Sequence, residues 1–117
     1  MGDRYQVLSG VVGVNPALSV SPLAGRSGLR VAGEVGLATQ PIWERALERA
    51  VGEDEDVYHL ELSAVTFVDV AGAGALAAAA QRLPDGRRIV LNRPPATLRR
   101  VLEIFWPELS AIEVSTS

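Results

Sequence analysis

The chain alternates between two hydrophobic periods, and that order constrains the fold more than any other feature of the sequence. From Ala17, "ALSVSPL" alternates apolar with polar residues and breaks at the Gly-rich turn "AGRSG". "LRVAGEV" follows with Leu29, Val31 and Val35 apolar, so the two segments read as a hairpin. "TQPIWERALERAV" then switches period. Ile42, Trp43, Ala46, Leu47, Ala50 and Val51 recur at helical spacing and make one apolar face. Thr39 stands at the capping position, Pro41 suits a first turn, and Glu44 lies near the positive end of the helix dipole.

"GEDED", residues 52–56, is a polar connection into "VYHLELSAVTFV". That run is dominated by apolar and β-prone residues and reads as an interior strand. A second helix is expected over 72–83, ended by "PDG", then a buried strand in "RRIVLN". "RPP" breaks the chain. A third helix is expected from about Ala96, where Leu98, Val101, Leu102 and Phe105 sit at i, i+3, i+4 and i+7. Pro107 stops it, and "AIEV" closes the chain as a short strand. The order is β-β-α-β-α-β-α-β. Strands that alternate with helices imply parallel pairs joined by right-handed crossovers, and the leading hairpin adds an antiparallel portion. The expectation is one α/β domain over 17–117, with a mixed, mostly parallel sheet of four to five strands and three main helices. Residues 1–16 read as an N-terminal tail or, from Tyr5 to Val14, an edge strand weakened by Gly10 and Gly13.

Composition narrows the function. The 117 residues suit one domain and contain no cysteine, so disulfides, thiolate metal sites and cysteine nucleophiles are excluded together. A net charge of −3 argues against nucleic acid as a partner. No apolar stretch approaches the roughly 20 residues that span a bilayer, and no basic segment precedes a long apolar run as in a secretory signal. A cytoplasmic protein without a membrane anchor is expected. All eleven basic residues are arginine, which reads as codon bias.

The segment "VTFVDVAGAGALAAAAQRL", residues 65–83, holds the candidate site. Asp69 precedes Gly72 and Gly74, and an alanine-rich run follows. Glycines feeding a helix N-terminus suggest an anion site. Gly72 to Ala77 also satisfies the G-x-G-x-x-A dinucleotide fingerprint, with Arg93 placed for a 2′-phosphate. Against that, Asp69 sets negative charge beside the pyrophosphate, too little chain follows the helix, and no catalytic pair is visible. The glycines read instead as a tight turn and a close helix–sheet approach. The alanines make a thin helix. Asp69 reads as a cap on the helix or a bond to loop amides. His59, the sole histidine, reads as structural. Trp43 and Trp106 read as core or half-buried anchors, with Trp106 an interface candidate if exposed beside the second helix.

Three segments in this order resemble STAS domains, the fold of bacterial anti-sigma factor antagonists that also occurs in the tails of sulfate transporters. "LRVAGEVGLATQPIWERAL" is similar to the family's strand, Gly-Glu pair, aspartate-bearing loop and first helix. "HLELSAVTFVDVAGAGAL" is similar to its signature of strand, aspartate, two small residues and Gly-x-Gly. "RRIVLNRPPATLRRVLEIF" is similar to the strand and helix that follow. The resemblance runs from about Leu18 to Val114. It implies a non-catalytic interaction module without a cofactor, whose partner is a kinase-type anti-sigma factor and whose contacts lie at Asp69, Val70, Ala71, Gly72, Ala73 and Gly74. For Asp69 it implies, instead of a cap, a contact to a partner or an Mg-nucleotide. It also implies that a serine just before the first glycine accepts phosphate. Here that position is Ala71, Val70 precedes it, and the family's other aspartate falls on Gly36. Alanine offers no hydroxyl, so serine phosphorylation cannot switch this site. The alternative is a sensory or scaffolding STAS domain that binds a small ligand or nucleotide.

Overall fold

The computed structural model describes residues 13–15 and 17–116. Among the described residues, six strands form one sheet: β1 (Gly13–Asn15), β2 (Leu18–Pro22), β3 (Gly28–Val35), β4 (Val57–Val68), β5 (Arg88–Asn92) and β6 (Ile112–Ser115), in spatial order β1-β2-β3-β4-β5-β6. Three helices connect the last four: α1 (Gln40–Gly52), α2 (Val70–Gln81) and α3 (Ala96–Phe105). The five expected strands are present in the expected order. β1 adds a short sixth at the edge, inside the segment read as tail or edge strand; the rest of that reading, residues 1–12 and 16, lies outside the described residues.

β1, β2 and β3 pair antiparallel, and β3 through β6 pair parallel. Sequential parallel strands joined by right-handed crossovers place successive helices on one face. The burial pattern agrees. Leu29, Val31, Leu60, Leu62, Ile89 and Leu91 are buried with Trp43, Leu76 and Leu98 from the helices, while their strand neighbours Arg30 and Arg88 are exposed. α2 lies between α1 and α3 and touches both. A helix flanked on two sides and backed by a sheet needs small side chains, which accounts for the buried Ala73, Ala77, Ala79 and Ala80.

α1 buries the face its spacing defines, through Ile42, Trp43, Ala46, Leu47 and Ala50. Two expectations at its start need correction. Thr39 stands at the N-cap, but its hydroxyl makes no capping bond; it donates to the Glu34 carbonyl (2.8 Å) and accepts from the Gly36 amide (2.9 Å), closing the turn after β3. Glu44 lies beyond the first turn and accepts from Gln40 Nε2.

β4 outruns β5. Glu61 pairs with Asn92, the end of β5, and the chain then leaves the sheet at Arg93, a non-glycine residue at φ 52°. Glu61 seals the place where the strands part. Its buried carboxylate accepts from the Ser63 amide (3.2 Å) and pairs with Arg93 Nη2 (3.1 Å). Burial pushes the Glu61 pKa up, but the bonds from Ser63 and Arg93 outweigh it and hold the group below its ordinary 4.5.

Candidate functional site

The signature segment folds as strand, one linking residue and helix. β4 ends at Val68, Asp69 is the N-cap, and α2 begins at Val70. Asp69 is fixed from three directions. Its amide donates to the Val35 carbonyl (3.0 Å), its carbonyl accepts from the Ala73 amide (3.0 Å), and its Oδ1 accepts from the Gly72 amide at 2.7 Å. The capping interpretation of Asp69 is therefore the geometry observed.

The glycines do not make a turn. Gly72 and Gly74 both lie inside α2, which runs over Val70–Gln81, two residues earlier than the 72–83 expected. The close approach is real for Gly72 alone. A Cβ there would stand 2.7 Å from Val35 Cγ1, 3.0 Å from Val68 Cγ1 and 3.1 Å from Asp69 Oδ1. Its carbonyl accepts from Trp43 Nε1 at 2.9 Å, which ties α1 to the first turn of α2. A Cβ on Gly74 would meet only the Trp106 ring, at 3.6 Å. The two positions should respond oppositely to alanine. Gly72→Ala overpacks the helix against the sheet and is expected to cost about 1–3 kcal/mol. Gly74→Ala gains helix propensity without a clash and should stabilise by roughly 0.5–1 kcal/mol. Urea unfolding of the two variants beside the wild type checks both signs.

Because the Gly72 amide is capped from within, a phosphate would have to displace Asp69 to use it. This removes the phosphate-cradling loop that the dinucleotide fingerprint requires. What surrounds the turn is apolar and open. Leu37 is 91% exposed, Val70 59% and Phe67 49%, and Ala71 is exposed beside them. Leu37 and Val70 each lie within two residues of one end of the Asp69–Val35 hydrogen bond, beside the start of α2, while Phe67, next to Val68 and opposite Glu34, alternates to the sheet face away from the helices. Of the six site residues, Val70 and Ala71 face solvent, Asp69, Gly74 and the neighbouring Ala75 are half-buried, and Gly72 and Ala73 are buried.

Thr66 donates to the Gly33 carbonyl (3.3 Å), and Ser63 sits where β5 leaves β4. Leu37 and Phe67 escaped the sequence reading, since apolar residues at strand ends look like core. Trp106 is half-buried against the Gly74 side of α2 and tilted on Phe105, with ring centroids 5.9 Å apart. Ile104 and Phe105 beside it are exposed.

A family model described as "Mlab, STAS domain" matches residues 20–105. The chain belongs to the STAS domain family. Among solved structures, this STAS domain is similar to an anti-sigma factor antagonist from Mycobacterium paratuberculosis. Identity is 26% and the TM-score 0.69, over 90% of this chain and 92% of that one. It also shares its fold with the anti-sigma factor antagonist SpoIIAA in its unphosphorylated form, at 18% identity and a TM-score of 0.58, over 86% and 90% of the two chains. A search of curated protein sequences finds no significant match. Among the described residues, no helix is long and apolar enough to cross a membrane.

Proposed function

We propose that this STAS domain is a non-catalytic docking module of the anti-sigma factor antagonist type, and that its contact surface is the first turn of α2 with its apolar rim. The observation that carries this reading is the exposed set Leu37, Val70 and Ala71 beside a capped helix end. Exposed apolar side chains grouped on a rigid scaffold are what a protein partner buries, and their centre supplies most of the affinity. The solved relative named as an anti-sigma factor antagonist supports an anti-sigma factor as the partner, and the resemblance of the signature segment adds the kinase type.

Ala71 makes the contact constitutive. A phosphoserine there would add about −1.5 to −2 charges at a helix N-terminus, which the dipole tolerates and an acidic partner surface rejects. With a methyl group the surface has one state, and partner abundance sets occupancy.

The test uses candidate anti-sigma kinases of the source cell, with calorimetry for affinity and mass spectrometry for phosphate. The wild type should bind one of them with the same affinity before and after incubation with Mg-ATP. Ala71→Ser should acquire phosphate and lose affinity under the same treatment. Val70→Asp sets a charge in the centre of the patch and should weaken binding at least about 30-fold, the scale of a hot-spot residue. Phosphate on any wild-type residue from 63 to 74, or full affinity in Val70→Asp, overturns the proposal.

A further inference from the structure

The face of the sheet opposite the helices is polar, and its charges do not cancel. Alternation along β4 and β5 sends Tyr58, Leu60, Ile89 and Leu91 into the core and His59, Glu61, Arg88 and Asn92 to the other side. Together with Arg26 from the β2–β3 turn and Glu113 from β6, they line a concavity of about 650 Å³. Each carboxylate already has its own arginine. Glu61 pairs with Arg93, and Glu113 accepts from Arg88 Nε at 3.0 Å. Arg26, the remaining arginine of the lining, has no ion pair among the described residues, and Arg88 engages Glu113 through Nε alone, so its two terminal nitrogens remain as donors.

We propose that this open face holds a binding site for a small tetrahedral oxyanion of the phosphoryl class, formed by Arg26, His59 and Arg88.

The donors suit that ligand. Guanidinium groups offer planar forks that match phosphoryl oxygens, and two of them with an imidazole make a three-sided claw. Asn92 Nδ2, which can only donate, lies 3.1 Å from His59 Nδ1. Nδ1 therefore accepts, and in the neutral ring Nε2 carries the hydrogen. Burial pushes the His59 pKa below 6.5, and the Arg26 and Arg88 charges push the same way against the opposing pull of Glu113. The ring thus feels both arginines, as a shared site demands. Arg93 and Glu61, the remaining charges that line the concavity, neutralise each other, and Arg30 and Glu34 of β3 share this face of the sheet outside the lining. A bound dianion reverses the repulsion on the imidazolium, so it must raise the His59 pKa; by linkage, oxyanion affinity rises as pH falls through that pKa. This site lies on the opposite side of the sheet from the helix layer and stands apart from the docking reading.

The experiment follows the His59 Cε1 proton of tag-free protein by NMR, a single signal because the chain has one histidine. The pH titration is run in sodium chloride and in sodium sulfate at equal ionic strength, sulfate being a dianion throughout. Sulfate should raise the His59 midpoint by about half a unit or more. Arg26→Gln, a change at an exposed turn, should abolish that rise, and Glu113→Gln, by removing a repelling carboxylate, should tighten binding several-fold. At pH 7.5, inorganic phosphate and glycerol phosphate are compared by amide shifts in 57–61 and 88–92. Equal affinity assigns the site to the free ion, and tighter binding of the ester assigns it to a phosphorylated metabolite. Identical midpoints in chloride and sulfate, or a sulfate effect that survives Arg26→Gln, overturns the proposal.

Discussion

Trp43→Ala is expected to destabilise the domain by about 3–5 kcal/mol, the range for deleting a large buried aromatic. Trp43 is the largest fully buried side chain, at 0% exposure. It fills the space between α1, the sheet and α2, and the partners above it move only partly to fill a void. Domains of this size hold about 5–15 kcal/mol in total, so the variant should stand near its unfolding midpoint at physiological temperature. Trp43→Phe separates packing from hydrogen bonding. The smaller ring keeps much of the apolar area but loses the bond from Nε1 to the Gly72 carbonyl. That carbonyl lies within α2 and keeps its ladder partner, so the loss should be about 1 kcal/mol for the bond, plus a smaller void. The phenylalanine variant should therefore unfold at a urea concentration between those of wild type and Trp43→Ala. Equal midpoints for the two variants would show that the hydrogen bond, and not the ring, carries the contribution. The bond also sets the pitch of the first turn of α2, so Trp43→Phe should weaken the proposed docking while the circular dichroism spectrum stays native.

Why these elements were legible follows from where their neighbours lie. α1 could be read from its spacing because one face meets the sheet and the other meets water; Ile42, Trp43, Ala46, Leu47 and Ala50 are all buried. α3 was legible to its last turn. Leu98 and Leu102 are buried and Val101 is half-buried, but Phe105 at i+7 is exposed. The helix ends there, and it is Trp106 that turns onto α2. α2 was misread at its start because two glycines suggested a loop. Packing overrides propensity at Gly72, where a missing Cβ lets the helix lie on Val35 and Val68.

The candidate site shows the same division. Asp69 could be read as a helix cap, because a capping residue before a run of small residues leaves a local signature. The apolar rim could not be read, because Leu37 is a hydrophobic residue of ordinary kind whose exposure depends on what covers it. β4 reads as an interior strand, and it lies between β3 and β5; helices cover one of its faces, and the alternation of Tyr58, His59, Leu60 and Glu61 carries the second.

Gly33→Ala should prevent stable folding. Gly33 adopts φ +121°, where an L side chain is strained by about 1–3 kcal/mol. Strain is the smaller part. An alanine Cβ would sit 2.0 Å from the Ala17 carbonyl oxygen and 3.1 Å from Leu18 Cα, both backbone atoms that no rotamer change can move aside. The strand must retreat instead. Gly33 pairs with Leu18, and the next amide, Glu34, donates to that same Ala17 oxygen at 2.8 Å, so retreat opens the β2–β3 ladder from its end. It also disturbs the irregular step between Gly33 and Glu34 in the pairing with β4, which brings Phe67 opposite Glu34. The expected loss exceeds about 4 kcal/mol, in the range reserved for backbone conflict in a core. Gly36→Ala, three residues on, is the control. Its added Cβ meets no atom within 4 Å, so the change should be neutral or stabilise by about 0.4–1 kcal/mol through the unfolded chain. Soluble yield and thermal unfolding of the pair decide the matter. A Gly33→Ala protein as stable as Gly36→Ala would mean that β2 and β3 are not held at the register described, and the entry to α1 and the Leu37 rim would lose their footing with it.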